Sequence, residues 1–362
     1  IFSFQSTGQL RTTMPIFENT AHRNHESIHH FYDPKTGLKA IIAIHSTALG
    51  PAAGGCRRWQ YDSEAEATWD ALRLARGMTY KNAMAGLPLG GGKAVIMAEP
   101  GQELTEEMLL AFGRCVESLG GRYITAEDVG VSVGSMNTVK QVTNYVAGLP
   151  PAEGAAGGDP SPWTADGVFL GLKAAAKHRF GNDSLAGQRV AIQGVGKVGY
   201  DLCRQLHEEG ASLFISDVNQ QNLERTQADF GAQVIATDQI LFADVDILSP
   251  CALGAILDAQ SIPRIKAAII GGAANNQLAS EEDGQRLFDR NILYAPDYVI
   301  NAGGIINVSL ERQGGTESDV HAQIARIPGR LAEIFIASEE QQTPTNVIAD
   351  LMAESIVADA RR

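Results

Sequence analysis

A chain of 362 residues is too long for one ordinary hydrophobic core and fits two domains. Its formal net charge of −13, without any dense run of lysine and arginine, argues against a nucleic-acid or anionic-membrane surface, and no apolar run reaches the ~18 residues of a membrane span. Cys56, Cys115, Cys203 and Cys251 are scattered and form no CxxC pair, so the pattern suggests neither a zinc site nor a disulfide framework and fits a reducing cytoplasm.

In chain order, residues 1–13 lack the basic and long apolar regions of a signal peptide and read as an upstream or added stretch ahead of Met14. "AHRNHESIHH" (21–30) sets His22, His25, His29 and His30 at spacings that a helix can direct to one ion; with no partner motif elsewhere, a solvated or oligomer-facing segment is the better reading. "LKAIIAIHST" (38–47) and "KAVIMA" (93–98) are strand patterns. Between them, Trp69, Leu72 and Ala75 or Arg76 recur at helical spacing, and Thr105 is placed to cap the helix "EEMLLAFGRCVESLG". "AGLPPAEGAAGGDPSP" (147–162) reads as an interdomain connection. A helix is then expected from an N-cap at Thr164 to a stop at Gly181, followed by six strand candidates, several separated by helix-length segments. Alternation of this kind predicts a parallel, doubly wound α/β sheet. The last stretch, from about 318, reads as helices that pack back on the first domain.

One strand candidate runs directly into "GVGKVG", in which Gly194, Gly196 and Gly199 form GxGxxG at the start of a helix, and Asp217 ends the next strand. The glycines tighten the turn and admit a pyrophosphate to the helix N-terminus, while the acid accepts from ribose hydroxyls. A 2′-phosphate beside Asp217 would be repelled and no arginine follows closely, so the pattern predicts NAD rather than NADP. "LGGGKA" is not a Walker loop: Leu87 stands where the first glycine belongs, and Ala94 follows Lys93.

Lys81 and Lys93 stand in an otherwise almost uncharged segment. A lysine desolvated by apolar neighbours or set beside a second cation loses proton affinity and serves as acid or base near neutrality, while its partner binds a carboxylate; the alternative is two surface lysines with buried stems. Glu127 and Asp128 follow a strand pattern, either to relay protons or to form a turn. Asparagines in "GGAANNQ" and "VINAGG", including Asn275 and Asn301, fall where a nicotinamide would lie, or are turn residues.

Taken together, "LGPAAGGCRRWQY", "DALRLARGMTYKNAMAGLPLGGGKAVI", "GRYITAEDVG", "GDPSPWTADGVF", "GVGKVG", "SDVN", "GAANNQL" and "LYAPDYVINAGGIIN" resemble the signature segments of the glutamate/leucine/phenylalanine/valine dehydrogenases, in order and from about residue 38 onward, most closely those of the leucine branch. The resemblance implies a two-domain α/β enzyme with a cleft between a substrate and oligomerisation domain (1–148, with helices of about 336–362 returning to it) and a Rossmann-type NAD domain (149–335). It implies a homo-oligomer that converts an L-amino acid reversibly to a 2-oxo acid, NADH and ammonia. By motif, Lys81 holds the substrate carboxylate beside Gly54 and Gly55, Lys93 is a low-pKa general base that activates water on the imine, and Asp128 assists proton transfer. Asn275 helps place substrate and nicotinamide ribose. Thr164, Val198, Cys251, Ala252, Ala273 and Asn301 join the glycine turn in contacting cofactor, and no metal is implied.

Glutamate-specific members place a lysine and a serine where this chain has Ala53 and Val308, so the resemblance argues against glutamate. Ala53 widens the pocket toward phenylalanine and Ile305 narrows it, which together favour leucine, valine and isoleucine. The competing class is a non-catalytic NAD-binding scaffold or sensor, against which the full set of Lys81, Lys93 and Asp128 counts.

Overall fold

The computed structural model describes residues 16–150 and 153–362; the expectation for residues 1–13 lies outside them. The first domain runs β1 (Ser27–Asp33), β2 (Leu38–Ser46), β3 (Ala52–Trp59), α1 (Glu64–Met84), β4 (Gly90–Met97), α2 (Glu106–Ser118), β5 (Tyr123–Ala126) and α3 (Val133–Lys140). Its sheet has the order β1-β2-β4-β3-β5, with β1 and β2 antiparallel to their neighbours and β3, β4 and β5 mutually parallel where they pair. Strand β2 reads as a continuous apolar run because both its faces are covered: Ile41 and Ala43 pack with Leu72 and Ala75 of α1, while Ile42 and Ile44 pack with Met108 and Phe112 of α2.

Two strands depart from the sequence reading. The histidine segment is no helix, since His29 and His30 lie on the edge strand β1, and among the described residues no cluster of metal-ligating side chains forms. Strand β3 carries "AAGGCRRW", whose glycines have poor strand propensity; tertiary contact overrides it, because Cβ atoms at Gly54 and Gly55 would lie 1.8 Å from the Gly92 carbonyl and 2.5 Å from that of Glu127. On α1, Leu72 and Ala75 are buried as expected, but Trp69 faces outward with the Arg73 guanidinium over its ring. Thr105 caps α2 by accepting from the Met108 N–H.

The second domain comprises α4 (Ser161–Phe180), β6 (Arg189–Gln193), α5 (Lys197–Glu208), β7 (Ser212–Ser216), α6 (Gln220–Phe230), β8 (Gln233–Val234), β9 (Ile247–Pro250), β10 (Ile269–Ile270), α7 (Glu282–Asp289), β11 (Leu293–Tyr294), α8 (Asp297–Ile300) and α9 (Gly303–Gln313). All six strands are parallel, in the order β11-β10-β9-β6-β7-β8, which is the doubly wound dinucleotide-binding arrangement. Helix α4 stops at Gly181 in the left-handed region but starts at Ser161, earlier than predicted. Pro160 and Pro162 set the first turn, and Thr164 lies inside the helix, its hydroxyl donating back to the Pro160 carbonyl at 2.9 Å. The chain closes with α10 (Glu317–Ile324), α11 (Ile327–Gln341) and α12 (Thr345–Ala360); α11 lies along α4, whereas α12 lies along α1 of the first domain.

Candidate active site

Between the two sheets lies a cleft of about 410 Å³. One wall is the stripe Leu74, Gly77, Met78 and Lys81 of α1, residues that share a helix face by their spacing. Strands β3 and β4 supply Ala53, Gly54, Gly55, Arg57 and Lys93, the end of β5 supplies Ile124, Ala126, Glu127 and Asp128, and the second domain adds Thr164, Val198, Ala273, Asn275, Asn301, Ile305 and Val308. The predicted substrate residues thus come together with much of the predicted cofactor set.

The two lysines occupy different environments. Lys93 is 6 % exposed, and its Nζ donates to Asp128 Oδ2 at 2.6 Å. Lys81, in the last turn of α1, donates from Nζ to Asn301 Oδ1 at 2.7 Å. Burial first, with Lys93 nearby, brings the Lys81 ammonium down from 10.5 to about 8, against the pull of Asp297 and Asp128. Lys81 thus has no carboxylate in direct contact, whereas Lys93 is ion-paired with Asp128. Asn301 also donates to the Ala273 carbonyl at 2.9 Å and to Asn275 Oδ1 at 2.8 Å, so one buried amide aligns Lys81 with the β10 end of the second domain.

Asp128 sits just beyond β5, where Gly55 lets the chain come close: a Cβ there would lie 2.8 Å from Asp128 Cβ. Burial works to raise its carboxyl, but Lys93 and Arg57 outweigh burial and hold it below the usual carboxylate range. Asp297, at the start of α8, is pushed up by burial despite accepting from the Gln277 and Tyr298 N–H groups.

The glycine turn fits a dinucleotide. Gly194 has φ +90°, and a Cβ on Gly199 would stand 2.0 Å from the Gly194 carbonyl, while one on Gly196 would meet nothing within 4 Å; the turn is packed from below and open above. Cys251 and Ala252 form that floor, with Ala252 Cβ 2.5 Å from a Cβ built on Gly194 and the Cys251 N–H donating to Gln193 at 2.7 Å. Gly196 caps α5 without a side-chain bond, leaving helix N–H groups for an anion. Asp217 follows β7, and its carboxylate accepts from the Val195 and Asn219 N–H groups at 2.8 Å each. Val198 belongs to both the turn and the cleft, which connects the two sites.

Sequence reasoning gave no role to Arg57, Asp70, Met78 or Asp297. Met78 was accessible from helical spacing to Lys81; Arg57, Asp70 and Asp297 act through contacts distant in sequence, for which no local signal exists.

Fold and cleft define the class: a two-domain α/β oxidoreductase with a doubly wound dinucleotide domain facing a lysine-bearing substrate wall. Residues 25–145 match the Glu/Leu/Phe/Val dehydrogenase dimerisation domain and residues 212–360 match the Glutamate/Leucine/Phenylalanine/Valine dehydrogenase family. The chain is 49% identical over 349 residues to leucine dehydrogenase of Bacillus subtilis (strain 168), covering 96% of each. It is 47% identical over 340 residues to valine dehydrogenase of Streptomyces virginiae, covering 93% of this chain and 95% of that protein. The crystal structure of L-tryptophan dehydrogenase from Nostoc punctiforme superposes with a TM-score of 0.83 at 46% identity, covering 94% of this chain and 97% of that one. The chain belongs to the glutamate/leucine/phenylalanine/valine dehydrogenase family, and within it resembles the leucine dehydrogenases.

Proposed function

We propose that this protein catalyses the NAD-dependent, reversible oxidative deamination of branched-chain aliphatic L-amino acids to 2-oxo acids and ammonia. The observation that carries the reading is the division of labour between the lysines: one ammonium free of a carboxylate partner for substrate, the other locked to an acid for proton transfer. Likeness to leucine and valine dehydrogenases supports the substrate class. Ala53, Ile124, Ala147, Ile305 and Val308 belong to one apolar cluster, which suits an aliphatic side chain and offers no polar group to a second carboxylate.

Charged Lys81 receives the α-carboxylate, held in line by Asn301 and Asn275. The α-ammonium loses a proton to the Asp128–Lys93 pair, because only the neutral amine can support the departure of hydride from Cα. The chemistry supplied by a bound nicotinamide is acceptance of that hydride. Once Lys93 has released its own proton to solvent, it takes a proton from water as the water oxygen attacks the iminium carbon; Asp128 returns its proton to nitrogen, and the C–N bond breaks as the hydroxyl proton passes to the departing ammonia, which leaves as ammonium with the 2-oxo acid. Domain walls limit access of bulk water to the pair, with Lys93 buried on β4 and Asp128 half-buried at the end of β5. Asp217 disfavours a 2′-phosphate, which argues for NAD. The dimerisation domain supports a homo-oligomer, and among the described residues no helix is long and apolar enough to cross a membrane.

A second reading, an aromatic substrate such as phenylalanine or tryptophan, is favoured by the small Ala53 and by likeness to the L-tryptophan dehydrogenase. The test of the reaction is stoichiometry: with L-leucine and NAD, one 2-oxo acid and one ammonia should appear for each NADH. Reduced cofactor without ammonia would overturn oxidative deamination.

A further inference from the structure

Asp128 is gripped from two sides through a single oxygen. Lys93 Nζ on β4 donates to Oδ2 at 2.6 Å, and Arg57 Nε on β3 donates to the same Oδ2 at 3.2 Å. Arg57 is itself held: its Nη1 donates to Asp70 Oδ2 of α1 at 3.0 Å. Asp70 is 8 % exposed and takes two further donors, the Tyr61 hydroxyl at 2.9 Å and Arg73 Nη2 at 3.1 Å. The chain Arg73–Asp70–Arg57–Asp128–Lys93 therefore runs from the outer end of α1 across two strands to the cleft.

A surface arginine would swing freely and be worth little, but this guanidinium is half-buried, uses separate nitrogens for the two carboxylates, and has its far partner fixed by two donors besides itself. We infer that Arg57 is the positioning residue that keeps the Asp128 carboxylate on Lys93, and that Asp70 is the anchor that keeps Arg57 in place. The inference rests on the proposed role of Asp128 in proton transfer.

Removing one of two cations from a shared carboxylate oxygen leaves the acid easier to protonate and free to rotate. The other charged groups around Asp128 do not replace Arg57: Lys81 is committed to Asn301, Glu127 is anionic when ionised, and burial keeps Cys56, Tyr61 and Tyr123 protonated. Loss of Arg57 should therefore raise the proton affinity of Asp128 and move the acid limb of the rate profile to higher pH.

The experiment is a pH profile of kcat and kcat/KM for L-leucine and NAD with the full-length protein carrying Arg57→Gln, Arg57→Lys, Asp70→Asn, Tyr61→Phe or Asp128→Asn, each checked for folding by quenching of protein fluorescence on NADH binding. Arg57→Gln should lower kcat roughly tenfold or more, with a smaller change in KM, and shift the acid limb upward. Arg57→Lys should restore part of both, and Asp70→Asn should shift the limb in the same direction by less. If Arg57→Gln does not bind NADH, Tyr61→Phe carries the test, with a small upward shift expected and an unmoved limb overturning the inference. A wild-type profile in Arg57→Gln, while Asp128→Asn is crippled, overturns the role of Arg57 alone. Full kcat in Asp128→Asn overturns the reading beneath it.

Discussion

If Lys81 receives the substrate carboxylate, substrate affinity must follow its titration. The fall from 10.5 to about 8, caused by burial and then by Lys93, corresponds to ~3 kcal/mol of lost preference for the charged form, before discounting for the residual exposure of the side chain. A bound carboxylate restores that preference, so it binds well while Lys81 is charged and loses about tenfold in affinity for each pH unit above 8. The appropriate ligand is 4-methylpentanoate, an analogue of leucine without the amino group, because its own charge is constant over this range. Its inhibition constant should be flat below pH 8 and weaken by roughly a hundredfold at pH 10. Lys81→Met should weaken it at neutral pH and abolish the pH dependence.

The same substitution has a stability consequence of opposite sign. Lys81 has a lower proton affinity folded than unfolded, so its cost to folding is complete below about pH 8 and disappears as pH rises toward 10.5. Lys81→Met removes that cost but orphans Asn301 Oδ1, worth about 1 kcal/mol, and should leave the protein at least as stable at pH 7 as the parent. An inhibition constant unchanged between pH 7 and 10, or unaltered by Lys81→Met, would refute the carboxylate role.

Three further outcomes are expected. Asp217→Ala should raise KM for NAD and narrow the preference over NADP, measured as the ratio of kcat/KM values; an unchanged ratio removes Asp217 from the ribose site. Ala53→Leu should fill the apolar end of the cleft and lower kcat/KM for phenylalanine relative to leucine by about 10–200-fold in steady-state assays. His25 and His45 are held neutral, mainly by burial, with values of about 4 and about 3, so the stability they allow is complete above pH 6.5 and lost as pH falls through those values; thermal unfolding should show Tm dropping below pH 6.5, less steeply in His45→Gln.

The second domain was readable from sequence because each of its strands is a short apolar run followed by a turn or helix, and the glycine turn repeats a requirement of backbone geometry: no side chain fits between Gly199 and the Gly194 carbonyl. The first domain was less so. Strand β3 is made of residues that disfavour strands and exists because its glycines let three strands and the Asp128 loop approach one another, a contact invisible to a local pattern. Lys81, Lys93 and Asp128 stood out as polar groups among apolar or glycine-rich neighbours. Their partners did not: which lysine pairs with Asp128 and which with Asn301 depends on how β4, β5 and α8 converge, and Arg57 in "CRRW" is indistinguishable by sequence from Arg58 beside it. Thr164 shows the same limit at smaller scale, since a favourable capping residue lies inside a helix that two prolines start earlier.

The most direct test of the account is the kcat/KM of the purified protein for leucine, valine, isoleucine, phenylalanine, tryptophan, glutamate and alanine, each with NAD and with NADP, followed by the absorbance of the reduced cofactor at alkaline pH. The account predicts a maximum for a branched-chain amino acid with NAD and negligible turnover of glutamate. A maximum for phenylalanine or tryptophan would contradict the aliphatic assignment, and no turnover of any amino acid would contradict catalysis by the lysine pair.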